Sequence, residues 1–137
     1  MRYILDDDNL SISYTVKKTP QINGVFLRTV KNTILGKKYD LSIYFVGQDK
    51  ISSINKQYRK KDYVTDILSF PYKDFGEMYI CLDKVTQKAN LFNTSPENYL
   101  NYLFIHGMTH LLGHDHGHAM DKLEKKFTKK LNIFYPY

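Results

Sequence analysis

Apolar residues recur along this chain in short runs, and the spacing of those runs predicts the elements. Residues 2–5 read as a short strand stopped by Asp6, Asp7 and Asp8. Thr19 and Pro20 form a helix start, since threonine can cap a first turn and proline suits the first helical position. Ile22, Val25, Phe26, Thr29, Val30 and Ile34 follow at helical spacing, and Gly36 closes that helix. Residues 40–46 alternate, with Leu41, Ile43 and Phe45 on one face and Ser42, Tyr44 and Val46 on the other. Apolar groups on both faces predict an interior strand. A helix over about 49–58 turns Ile51, Ile54 and Tyr58 inward and runs into the polar stretch Arg59, Lys60, Lys61 and Asp62.

Two more strands are predicted, one over Ile67–Phe70 before Pro71 and one over Glu77–Leu82. Asp83 is placed to cap a short helix with Val85, Ala89 and Phe92 on one side. Ser95, Pro96 and Glu97 signal another helix start. That helix carries apolar groups nearly all round, at Leu100, Leu103, Phe104, Ile105, Met108, Leu111 and Leu112, so it belongs at the centre of the fold. The last helix turns Met120, Leu123, Phe127 and Leu131 inward and Lys122, Lys125, Lys126, Lys129 and Lys130 outward. Helices and strands mix without strict alternation. The expected class is α+β, a small mixed four-stranded sheet covered by about five helices.

Neither repeats nor a linker interrupt the 137 residues, so 1–137 reads as a single domain. No apolar run approaches the roughly 20 residues that cross a bilayer, which excludes a membrane span. Acids occupy the place where a secretory h-region would lie, and Cys81 has no second cysteine to pair with. A reducing cytoplasm is the expected compartment. The net charge of +6, from 20 Lys+Arg against 14 Asp+Glu, suits a polyanionic partner such as RNA, DNA or a ribosome. All five histidines lie between His106 and His118, and the search for chemistry starts there.

His106 and His110 are four apart on the buried helix and share one of its faces. Gly113 can end the helix in a left-handed turn and let the chain double back. His116 then completes H-x-x-x-H-x-x-G-x-x-H, the ligand spacing of metzincin zinc sites. Three neutral imidazoles with one open position suit a catalytic Zn²⁺, one per chain, at the end of the central helix. His114 competes with His116 as third ligand but lies nearer the turn. His118 reads as a solvated start to the last helix. Metalloproteases of the H-E-x-x-H type carry a glutamate after the first histidine as general base; here that place is Gly107.

His106-Gly107-x-x-His110-Leu111-x-Gly113-x-Asp115-His116 resembles the H-G-x-x-H-L-x-G-x-D-H signature of the YbeY family. The resemblance extends to Ile54, Asn55, Tyr58, Arg59, Lys61 and Asp62, to the Thr65–Pro71 segment, to Gly76, and to Met120 with Glu124 in the last helix. It runs from about residue 41 to 124 in the family's order. His114, Thr109 and Glu77 stand where the family usually has Tyr, Leu and Asp. The resemblance implies a metal-dependent, single-strand-specific endoribonuclease of rRNA maturation, acting at the 3′ end of small-subunit rRNA and in ribosome quality control. His106, His110 and His116 would hold Zn²⁺, and Arg59 would bind the scissile phosphate through its two-pronged guanidinium. Without that resemblance Arg59 reads as a surface arginine beside Lys60 and Lys61.

Asp115 either orients a ligand imidazole or caps the last helix, and Asp66 either braces Arg59 or caps a strand end. Single-stranded RNA and the small ribosomal subunit are the implied partners. Two other functions stay open on the sequence: a metal-dependent hydrolase of another substrate class, and a non-catalytic ribosome- or RNA-binding factor with a structural metal. Gly107 counts against a peptidase. An open three-histidine site counts against structural zinc, which is usually closed and cysteine-rich.

Overall fold

The computed structural model describes residues 1–137. Its elements are β1 (Arg2–Asp7), β2 (Leu10–Tyr14), α1 (Gly24–Ile34), β3 (Asp40–Phe45), α2 (Gln48–Arg59), β4 (Ile67–Pro71), β5 (Phe75–Ile80), α3 (Leu82–Leu91), α4 (Pro96–Leu111) and α5 (His118–Leu131). The strands form one mixed sheet in the order β1-β2-β3-β5-β4. The outer pairs, β1 with β2 and β4 with β5, are antiparallel; the inner pairs are parallel. The α+β class and the five helices hold, and β3 is interior as its two-sided pattern requires.

The sheet has five strands, not four. The additional one, β2, follows Asn9, whose left-handed φ of 64° makes the tight turn from β1. The first helix also begins later than Thr19 and Pro20 suggest. Asn23 is the cap, its side-chain oxygen accepting from the Phe26 N–H at 3.1 Å, while Thr19 is held by the Tyr14 hydroxyl at 3.0 Å. Three residues expected inward are not: Val25, Tyr58 and Leu112 are 81, 62 and 45% exposed. Asp83 lies in the first turn of α3 without capping it.

One face of the sheet packs on α1 and α4. Leu10, Ile12, Leu41, Ile43, Phe45, Met78 and Ile80 supply its side of the core, and Leu103, Ile105 and Met108 supply that of α4. Ser95 caps α4 by accepting from the Asn98 N–H at 3.1 Å, with Pro96 in the first turn. On the opposite face Ile51 and Ile54 of α2 close a smaller cluster with Val46, Leu68 and Cys81. α5 lies against α4 through Met120, Glu124, Phe127 and Thr128 and leaves its lysines in solvent. No helix is long and apolar enough to cross a membrane.

Candidate metal centre

The end of α4 positions the first two histidines one turn apart, both half-buried. Gly113, at a φ of 98°, then reverses the chain. Its N–H donates to the His110 carbonyl at 2.9 Å, and the His114 N–H donates to the Thr109 carbonyl at 3.3 Å. That turn brings the loop residue His116 back over the helix end. Ligand atoms of His106, His110 and His116 all lie within 4.8 Å of one another, and these three form the group placed to share an ion. His114 is not in it.

Two of the imidazoles are oriented from behind. His106 Nδ1–H donates to Glu124 Oε2 at 2.9 Å, and His110 Nδ1–H donates to the His114 carbonyl at 2.9 Å. Each contact fixes a tautomer and leaves Nε2 free to ligate. Glu124 also accepts from the Tyr102 hydroxyl at 2.7 Å. Burial alone would raise the Glu124 pKa, but the hydrogen bonds from His106 and Tyr102 outweigh it and hold the carboxyl below its ordinary value. Burial, reinforced by His106, lowers the pKa of His110. Both shifts favour the states a metal needs, a neutral imidazole and an ionised carboxylate behind its neighbour.

Fit to a divalent metal follows from this donor set. Three imidazoles on one side of a cleft match the open three-ligand arrangement of catalytic zinc. The three imidazoles would hold the ion, and the separations of their ligand atoms are close to what one shared ion requires.

Arg59 is the last residue of α2, and Lys60 follows in a left-handed conformation at a φ of 56°. Asn55, buried in α2, donates to the Tyr63 carbonyl at 3.0 Å and ties down the polar loop after Arg59. The Arg59 guanidinium donates to the Ser69 carbonyl at 2.6 Å and lies over the Phe70 ring at 5.1 Å. It lines the same cleft of ≈ 970 Å³ as the three histidines, Asp115 and Glu124. A second cleft of ≈ 990 Å³, between the 16–23 loop, α1, α3 and α4, contains none of them.

For His106 and His110 the orienting contact comes from residues other than Asp115. Asp115 is exposed and makes no side-chain hydrogen bond; Glu124 and the His114 carbonyl occupy Nδ1 of His106 and of His110. Nor does Asp115 cap α5, whose cap position is Gly117 with no side-chain bond. Asp66 accepts from the Tyr99 hydroxyl at 2.9 Å rather than from Arg59. Glu124 was the residue that spacing alone could not place, because it lies on another helix; its match to the Met-x-x-x-Glu segment was the available signal. Gly107 faces the sheet, not the cleft. A Cβ there would lie 2.7 Å from Ile67 Cδ1, 3.0 Å from Met78 Cε and 3.1 Å from Ser69 Oγ, so a side chain at that position would press on residues of the sheet and point away from the three histidines. Thr109 turns its hydroxyl onto the His106 carbonyl at 2.7 Å, and Glu77 lies on the far face of the sheet.

Known proteins bear on this geometry. Residues 6–134 match the family profile described as Endoribonuclease YbeY. A protein of Mycoplasmopsis synoviae named Endoribonuclease YbeY is 35% identical, over 91% of this chain and 85% of that relative. One of the same name from Ureaplasma parvum is 46% identical over 89 residues, and there the match spans 60% of this chain and 57% of the relative's length. The solution structure of a Thermotoga maritima protein superposes with a TM-score of 0.60 at 28% identity, covering 89% of this chain and 88% of that one. The profile, the relative matched over most of its length and the fold agree, and the chain belongs to the endoribonuclease YbeY family.

Proposed function

We propose that residues 1–137 act as a single-domain, zinc-dependent endoribonuclease on single-stranded RNA, and that its cytoplasmic substrate is ribosomal RNA presented with the small ribosomal subunit. The observation that carries this reading is the joint placement of the three histidines and Arg59 around one cleft. The family name and the positive charge support it.

His106, His110 and His116 hold the ion, which supplies Lewis acidity toward a phosphodiester oxygen when bound. Glu124 holds His106 in register and keeps its Nδ1 proton, and the His114 carbonyl does the same for His110. Arg59 binds the phosphate's non-bridging oxygens, where negative charge builds during cleavage. A guanidinium already fixed by the Ser69 carbonyl needs little rearrangement to meet that charge. Lysines around the cleft attract the backbone, and each neutralised phosphate releases a counterion, so binding weakens steeply with salt.

The test is metal content together with single-turnover cleavage of a short single-stranded RNA. About one Zn²⁺ per chain is expected, with cleavage lost on chelation and in His110→Ala but kept in His118→Ala. Full metal content in His110→Ala, or cleavage indifferent to chelator, would refute the assignment.

A further inference from the structure

The helices cover the two faces of the sheet unequally. On the face away from α4, α2 closes one end only, over Val46, Leu68 and Cys81. Beyond that end the same face carries aromatic rings. Tyr44 and Tyr79 are partners in register and stack with centroids 4.9 Å apart. Phe70 meets Tyr79 edge-on at 6.0 Å and Tyr58 of α2 at 5.6 Å. At the β4–β5 turn Tyr72 stacks on Phe75 at 4.5 Å. Tyr58, Tyr72 and Phe75 are 62, 49 and 44% exposed. Large apolar side chains on a soluble surface are ordinarily scattered singly; a contiguous set marks an interaction site.

This set is joined to the candidate active site by one residue. Arg59 lies over Phe70, donates to the backbone of edge strand β4 at Ser69, and lines the cleft of the histidines. The aromatic face therefore begins where the cleft ends, across the β4 edge.

We propose that this face is a second subsite of the nuclease, on which unpaired bases flanking the scissile phosphate stack once the strand has passed Arg59 and turned over the β4 edge. The proposal rests on the RNA-cleaving reading of the cleft. Charge selects the occupant. Exposed Lys60 and Lys61 follow Arg59, and exposed Lys73 follows Tyr72, outnumbering the exposed Asp62 and Asp74 of the same two segments, so the rim of the face suits a phosphate backbone. Glu77 sits among the rings, accepting from the Tyr44 hydroxyl at 3.4 Å, and repels phosphate from the centre. Bases then lie over the rings and phosphates along the lysine rim. Every base has a π-face, so such stacking tolerates sequence. A duplex keeps its bases on one another and gains nothing here, so a demand for single strands follows from the face as well as from the cleft.

The experiment compares a short RNA that fills only the cleft with one extended by several nucleotides. Single-turnover cleavage by metal-loaded protein gives half-saturation and maximum rate separately. The extension should lower half-saturation about tenfold, the usual scale for one stacked base, with little change in maximum rate. Abasic nucleotides in the extension, which keep the phosphates, should erase that gain. Tyr58→Ala with Tyr72→Ala should erase it too, whereas Tyr58→Phe with Tyr72→Phe should keep it, because the rings remain. Both sites are on the surface, and thermal melting verifies folding. An abasic extension that helps equally, or an alanine variant that keeps the full gain, would overturn the proposal; the latter leaves the face to a protein partner. If the wild type neither binds nor cuts the short RNA, the reading of the cleft itself fails, a result distinct from both.

Discussion

Replacing Glu124 with glutamine changes one charge and almost no volume, and the structure sets what it should cost. The carboxylate is 97% withdrawn from solvent, with a side-chain exposure of 3%, and accepts from His106 at 2.9 Å and Tyr102 at 2.7 Å. Glutamine has one acceptor oxygen. If that oxygen stays with His106, the amide N–H faces the Tyr102 oxygen, and the phenol proton loses its partner. The imidazole also loses the anion that makes it a more basic ligand. Loss of such support typically lowers metal affinity about 10–100-fold, or about 1.4–2.7 kcal/mol. Glu124→Ala should be worse, because the buried Tyr102 hydroxyl and the half-buried His106 N–H are left without an acceptor, at about 1–3 kcal/mol for the buried one. Competition between the protein and a chromophoric chelator for Zn²⁺ at neutral pH reads the affinity, and thermal melting of metal-free protein reads the fold. A glutamine variant that binds Zn²⁺ as tightly as the parent would show that Glu124 does not orient His106.

Three further outcomes are expected. Arg59→Ala should keep its zinc and lose about 10²–10³ in single-turnover rate, with Arg59→Lys recovering only part; equal rates would reduce Arg59 to a surface charge. Gly107→Glu restores the peptidase pattern on paper but drives a carboxylate against Ile67 and Met78, so it should destabilise the fold by about 3 kcal/mol or more and yield no peptide hydrolysis. Urea denaturation and a peptide assay check it, and a stable, peptide-cleaving variant would sink the packing argument. His110 and Glu124 both titrate below their ordinary values, so as pH falls the unfolded chain takes up those protons first. Metal-free stability should be full above the ordinary histidine value of 6.5 and decline below it through His110, then decline again below the ordinary carboxylate value of 4.5 through Glu124. Glu124→Gln should remove the second decline in urea midpoint, and an unchanged profile would count against the linkage.

The histidine cluster is legible because two of its members share a helix face and the third follows a glycine at fixed spacing; local geometry alone brings them together. The supports behind them are not, since Glu124 reaches His106 only through the packing of α5 on α4, and the His114 carbonyl belongs to the backbone. Asp115 is adjacent to His114 and His116 along the chain, but in this turn its side chain is exposed. β2 leaves little mark in the sequence, because its five residues gain their pattern from a parallel partner beyond α1 and its turn signal is no more than Asp8 and Asn9. Tyr58 fits the apolar stripe of α2, yet the sheet beneath that turn ends in aromatic rings rather than in a cavity for it.

The order of the strands leaves β1 and β4 with one unpaired side each, and such edges invite pairing with foreign chains. β1 is irregular between Tyr3 and Leu5 and ends in acids. β4 ends in Pro71, which has no N–H to offer, and its Ser69 carbonyl is already taken by Arg59. A strand that paired with this edge would have to displace that guanidinium first. Anything that adds to the sheet there, a peptide inhibitor or a misfolded copy, thereby removes the arginine from the cleft, so that aggregation through β4 and loss of cleavage would be the same event.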